Sequence, residues 1–202
     1  MSKEFSAPLN HSAGRAIAPA TRGSVWLRSG GIVLGGSALV ALCAHVALPL
    51  YFTPVPLSMA PFAVLLLGLM LSPRLAAVTL AAYLAEGALG LPVFGPTPAV
   101  SGMAHLLGPT GGYLLSYPLA AGLIAFLVRR TGRGYFSAFL SAAGGSLVIL
   151  FCGALWLAVL THASAQSVIT LAILPFLPGD ALKVAAAASL AAAWVRWRRQ
   201  AE

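Results

Sequence analysis

The stretch GYLLSYPLAAGLIAFLVRRTGRGYFSAFLSAAGGSLVILFCGALWLAVL, residues 112–160, decides the fold class. One apolar run covers residues 112–128 and a second covers 135–160. The six residues between them carry three arginines, Arg129, Arg130 and Arg133. A helix needs about 20 apolar residues, with a range of about 17–25, to cross roughly 30 Å of hydrocarbon. Two such runs around a short basic loop read as a helical hairpin through a membrane, with the loop on the inner side.

Composition extends that reading to all 202 residues. Apolar residues make up 59% and charged residues 8%, and the mean hydropathy is +0.92. A soluble domain has about 45–50% and about 25%. Sixteen charged side chains cannot cover a water-soluble globule of this size, and disorder needs the opposite composition. The net charge of +8 sits at the flanks of apolar runs instead of along a patch, which excludes a nucleic-acid surface. Cys43 and Cys152 lie inside apolar runs and read as buried thiols, not a disulfide framework.

Four more runs lie outside the hairpin, at residues 31–50, 61–71, 75–91 and 179–195. The second of these has 11 residues, about 16 Å of helix, so it spans only if flanking residues join it. A short stretch, 167–174, precedes Pro175 and Pro178. Six spans with the N-terminus inside put residues 1–30, Arg74, the 129–134 loop and the C-terminus on one side. Eleven of the twelve Lys and Arg fall there, and none falls in the loops 51–60, 92–111 and 161–178. The expected fold is therefore an all-α polytopic membrane protein of six transmembrane helices, N-in and C-in. Residues 1–30 are expected as a disordered cytoplasmic tail, 31–197 as the membrane domain and 198–202 as a cytoplasmic tail. Trp26, Trp194 and Trp197 then lie at the inner interface, where amphipathic rings settle. The outer loops are rich in Pro and Gly, stiff enough to roof a pocket.

Glu86, Asp180 and Lys183 have no place in the flanking-charge pattern, and each is costly at membrane depth unless paired or wet. Asp180 and Lys183, three apart, share a helix face. They read either as a helix cap with its neutralising partner or as a polar site opening outward. Such a site has no net charge and suits a ligand that both donates and accepts hydrogen bonds. Tyr83 and Glu86 share a face in the same way, with Glu86 either in the site or reaching water at the interface. His45, His105 and His162 have no metal spacing and read as structural or solvated, and Trp156 as packing or lipid-facing. In the first run Gly31 and Gly35, and Ser37 and Ala41, are small residues four apart, for helix packing within the protein or against another membrane subunit. There is no phosphate-binding GxxxxGK[ST] sequence, no GxSxG and no HExxH.

Three segments together resemble the biotin-transporter family, the substrate-binding S components of energy-coupling factor transporters. They are PVPLS at 54–58 with the short second run; YLAEGALGLPVF at 83–94 with GPTGGYL at 108–114; and PFLPGDALK at 175–183. One departure is Ala60, where the family often carries Gln. The resemblance implies six helices and an outward pocket capped by loops, with Asp180 and Lys183 on the bound vitamin. It implies partners as well, a transmembrane coupling protein docking at Ser37 and Ala41 and two cytoplasmic ATPases, with uptake run by that module or by the chain alone. No cofactor, metal or nucleic acid is implied, and the expected location is the plasma (inner) membrane of a bacterium. Biotin fits the residues chemically. Its ureido ring offers two N–H donors and a carbonyl acceptor, for Asp180 and Lys183 to meet, with Tyr83, Tyr113 and Phe94 as aromatic walls and Glu86 as a further polar contact. An intramembrane enzyme using Glu86 or Asp180 as a base, or a structural membrane protein, are the other readings. The first lacks a nucleophile, and the second leaves the Asp180–Lys183 pair without a ligand.

Overall fold

The computed structural model of the chain describes residues 22–95, 102–132 and 134–201. Residues 1–21 of the tail expected over 1–30, Pro96 and Pro98 of the expected outer loop, and Arg133 lie outside them. Helix α1 (Arg22–His45) leads into a two-residue antiparallel ladder, β1 (Ala47–Leu48) with β2 (Leu57–Ser58), in which Ala47 faces Ser58. Helices α2 (Ala60–Met70) and α3 (Pro73–Ala88) follow, then one turn of helix, α4 (Met103–Leu106). The hairpin read from sequence is α5 (Gly111–Thr131) and α6 (Tyr135–Thr161). A second single turn, α7 (Ala165–Val168), runs into a π-turn at Ile169–Ile173, and α8 (Leu177–Gln200) closes the chain.

The boundaries follow local chemistry. Ser58 Oγ accepts the Ala60 amide at 3.0 Å and Pro61 sits in the first turn, so α2 starts there. Leu71 turns to extended backbone, and Ser72 caps α3 by accepting the Leu75 amide at 3.4 Å, with Pro73 in its first turn. This tight corner exposes Arg74. At the other end of α3, Gly90 adopts a φ of 96° and Pro92 prevents continuation.

Three boundaries differ from the sequence reading. Helix α1 begins at Arg22, inside the stretch expected to be a tail, because nothing from Gly23 to Gly30 breaks a helix outright. It ends at His45 and not near Leu50, because Val46 onward pairs as extended chain with the segment before α2, and Pro49 cannot continue a helix. Likewise α8 carries Arg196, Arg198 and Arg199 to Gln200, past the boundary expected at 197.

Among the described residues three helices, α1, α5 and α6, are long and apolar enough to cross a membrane, and a fourth span arises if the pair formed by α7 with the π-turn and by α8, bent by 46°, counts as one. Helices α2 and α3, with 11 and 16 residues, reach only about 16 and 24 Å. Helix α5 packs along α6, α3 and α2, while α8 lies against α2 and α6. Small residues make the tightest crossing: a Cβ on Gly112 would stand 2.2 Å from Trp156 Cβ, so only glycine lets α5 and α6 approach there. One core cluster holds Leu65, Leu69, Ile124, Val128, Ala142 and Ala188, toward the end where α2 meets α3 and α5 meets α6. A larger cluster, with Val40, Leu80, Tyr83, Tyr117 and Phe176, fills the opposite half and surrounds the cavity described next.

Candidate functional site

At that opposite end the bundle holds a cavity of about 490 Å³, within the usual range of about 300–1,000 Å³ for small-molecule sites. The end of α1, the β1–β2 loop, α3, α4, α5 and the start of α8 all contribute to its wall. Most of the lining is Ala, Pro, Leu, Val and aromatic, and Asp180 and Lys183 bring the charge.

The pair sits on the first two turns of α8. Lys183 Nζ donates to Asp180 Oδ1 at 3.0 Å, and both side chains are buried. Asp180 does not cap the helix. Phe176 holds the cap position with no side-chain hydrogen bond, and the Asp180 amide already donates to the Phe176 carbonyl at 2.8 Å. The carboxylate is thus directed to Lys183, and the two charges cancel in a setting where either alone would be strongly disfavoured. Together they present acceptor and donor atoms to the cavity.

The aromatic walls are held by their own polar ends. Tyr83 is fully buried and donates to the Val93 carbonyl at 3.1 Å. Tyr113 donates to the Ala172 carbonyl at 2.9 Å, and its ring lies 6.1 Å from that of Phe176. Phe94 stands edge-on to Tyr83 at 5.4 Å and tilted over His105 at 5.3 Å. Its ring occupies the space above Gly87, where a Cβ would come within 2.0 Å of it. Tyr83, Phe94, Tyr113, Asp180 and Lys183 therefore converge on one cavity.

Glu86 does not join them. It lies outside the lining, and its carboxylate accepts the Ser37 hydroxyl from α1. Two expectations change as a result. Glu86 is not a wall of the cavity, because its position on α3 is turned toward α1. Ser37, expected as a docking residue, is buried on the face of α1 that also carries Val40 and Ala44, and Ala41 is half-buried against the same core. The small residues that α1 leaves exposed include Gly31, Gly35 and Ala38, and a Cβ on either glycine would meet nothing within 4 Å.

Residues from all three of the separated segments line the cavity. The model of the BioY family matches residues 17–200. The chain belongs to the BioY family. It is 38% identical over 138 residues to the probable biotin transporter BioY of Pyrococcus horikoshii, covering 68% of this chain and 79% of that one. The biotin transporter BioY of Thermotoga maritima is 31% identical over 156 residues, covering 77% and 88%. A crystal structure of the S-component for biotin from an ECF-type ABC transporter superposes with a TM-score of 0.78 at 23% identity, covering 88% of this chain and 95% of that one. That likeness carries the fold of this BioY-family chain.

Several lining residues were not anticipated. Tyr117 follows Tyr113 by one helical turn, so the helix period alone places it on the same face. His105, read as structural or solvated, is buried in the wall with its ring against Phe94. Thr53, Ser58 and Ala60 come from the segment around β2, whose short ladder with β1 no periodicity announces. At Ala60 the lining is a methyl group. Trp156 serves packing: its Nε1 donates to the Gly108 carbonyl at 2.9 Å, locking the loop before α5.

Proposed function

We propose that this chain is the membrane subunit that captures biotin for uptake. The observation that carries the reading is the Asp180–Lys183 pair, buried in an otherwise largely apolar cavity. A cyclic urea presents two N–H donors beside one carbonyl acceptor. A carboxylate takes the N–H groups and an ammonium donates to the oxygen, with no change in net charge. The family and the named relatives support the same ligand. Capture needs no catalytic group, and this reading makes the chain a binder and not an enzyme.

The reading includes six crossings, with α2 and α3 completed by their flanking segments, and both termini inside. The distribution of eleven of the twelve basic residues supports it. It places the cavity on the outer side of a bacterial plasma membrane, with residues 1–21 and the end of α8 in the cytoplasm. A transmembrane coupling protein and two cytoplasmic ATPases complete the system, a reading supported by the likeness to the S-component of an ECF-type ABC transporter. The exposed stripe of Gly31, Gly35 and Ala38 on α1 is the proposed docking face.

Radiolabelled biotin binding to the detergent-purified chain tests the function. Saturable binding without ATP is expected. Failure of well-folded protein to bind overturns the reading.

A further inference from the structure

The cavity's cation inventory bears on which part of the ligand is recognised. Lys183 is the only Lys or Arg among the described lining residues, and it is already bonded to Asp180 at 3.0 Å. The sequence supplies no other near that end: residues 46–73, 89–128 and 162–182 contain no Lys or Arg at all. A ligand carboxylate that reached Lys183 would bring two carboxylates to one ammonium in a buried setting. That arrangement leaves a net negative charge out of water and is strongly disfavoured. A neutral head group meets no such obstacle.

The remaining polar side chains of the wall do not distinguish charge. Ser58 Oγ accepts the Ala60 amide at 3.0 Å and Thr53 Oγ1 accepts the Val55 amide at 3.4 Å, so each hydroxyl still has its proton to donate. A neutral hydroxyl donates to an ester or amide carbonyl as well as to a carboxylate. His105 is buried with its face on Phe94. Toward solvent the lining ends in Pro49, Pro54 and Ala104, all exposed and none charged. A carboxylate at that mouth stays in water and gains little from the protein.

We propose that the cavity selects on the neutral head group and not on the acid, so that amides and esters of the biotin tail are ligands alongside biotin itself. This rests on the biotin reading and adds a substrate class to it. The head is read by two opposed charges within one helical turn, and the tail is accommodated without ionic recognition.

Competition against radiolabelled biotin on the purified chain at neutral pH separates the two claims. Biotin methyl ester and biotin primary amide are expected to displace the label within about tenfold of biotin's own affinity, the spread that one neutral hydrogen bond gives. 2-Iminobiotin, whose head becomes cationic beside Lys183, is expected to be weaker by more than about tenfold. Biotin that binds while both neutral tails lose more than about tenfold overturns the inference and leaves the biotin reading standing. Iminobiotin binding as well as biotin overturns selection at the head. No saturable biotin binding overturns the function itself.

Discussion

The Ser37 hydroxyl on α1 donates to the Glu86 carboxylate on α3. Two residues that the sequence set apart, one for a partner and one for a ligand, hold each other across a helix crossing. The bond explains how a lone acid is tolerated at this depth: its charge has a donor on the neighbouring helix. Removing it with Ser37→Ala is expected to cost about 1.5–3 kcal/mol, the worth of a hydrogen bond to a charged group, or roughly 3–10 °C in melting temperature. Biotin affinity of the folded fraction should stay within a fewfold. A loss of affinity without a loss of stability would put Glu86 back in the site.

Asp180→Asn and Lys183→Met are each expected to weaken biotin binding by at least tenfold, with the protein still inserting and purifying. Each removes one charge-assisted contact and leaves the partner charge buried and unmatched. Calorimetric titration beside a melting curve reads affinity and stability separately. Unchanged affinity in both variants would take the pair out of the site.

Gly87→Ala tests the Phe94 wall. The new methyl would stand 2.0 Å from the ring, so Phe94 must leave its seat against Tyr83. Affinity is expected to fall about three- to tenfold, as for loss of an aromatic wall contact. The helix should not suffer, since alanine favours a helix interior by up to about 1 kcal/mol over glycine. Combining the change with Phe94→Ala should add little to the loss from Phe94→Ala alone, and full additivity would place the effect elsewhere.

The outward stripe of α1 gives a test of coupling. Gly35→Trp projects into open space, so biotin binding by the isolated chain should survive while uptake with a coupling module falls. Ala41→Trp, on the half-buried face, is expected to lower the melting temperature instead. Normal uptake by the Gly35 variant would remove this stripe as the docking face.

For topology, single cysteines in a chain lacking Cys43 and Cys152 are informative. Leu91→Cys and Ser164→Cys should react with an impermeant thiol reagent from outside, and Gly132→Cys only after permeabilisation. The reverse pattern would sink the N-in arrangement.

Long elements were legible because hydropathy and helix length act over whole runs. Helices α5 and α6 lie within three residues of the runs read at 112–128 and 135–160. The Asp180–Lys183 pairing was legible for a similar reason, since residues three apart share a helix face whatever the surroundings. Phe94 and Tyr113 as walls followed from the resemblance. What escaped depends on which way a helix is rolled. Ser37 and Gly35 are two residues apart, yet one is buried and the other exposed, and α1 is apolar all round, so no amphipathic pattern states which face packs. The same ambiguity turned Glu86 toward α1 while Tyr83, three residues earlier, faces the cavity. The end of α1 was set by the β1–β2 ladder, a pairing between segments ten residues apart that local preference does not encode.

The hydroxyls of Tyr83 and Tyr113 are each bound to a main-chain carbonyl, Val93 and Ala172, in segments that flank the cavity. The walls thus keep their shape whatever molecule lies between them, and on the proposed reading the chemical question put to that molecule is asked by a single turn of α8. Container and reader are separate parts. A programme to retarget the chain to another small heterocycle therefore has two codons to randomise, 180 and 183, while the tyrosine latches stay fixed. Substituting the latches instead would deform the vessel without teaching it a new guest.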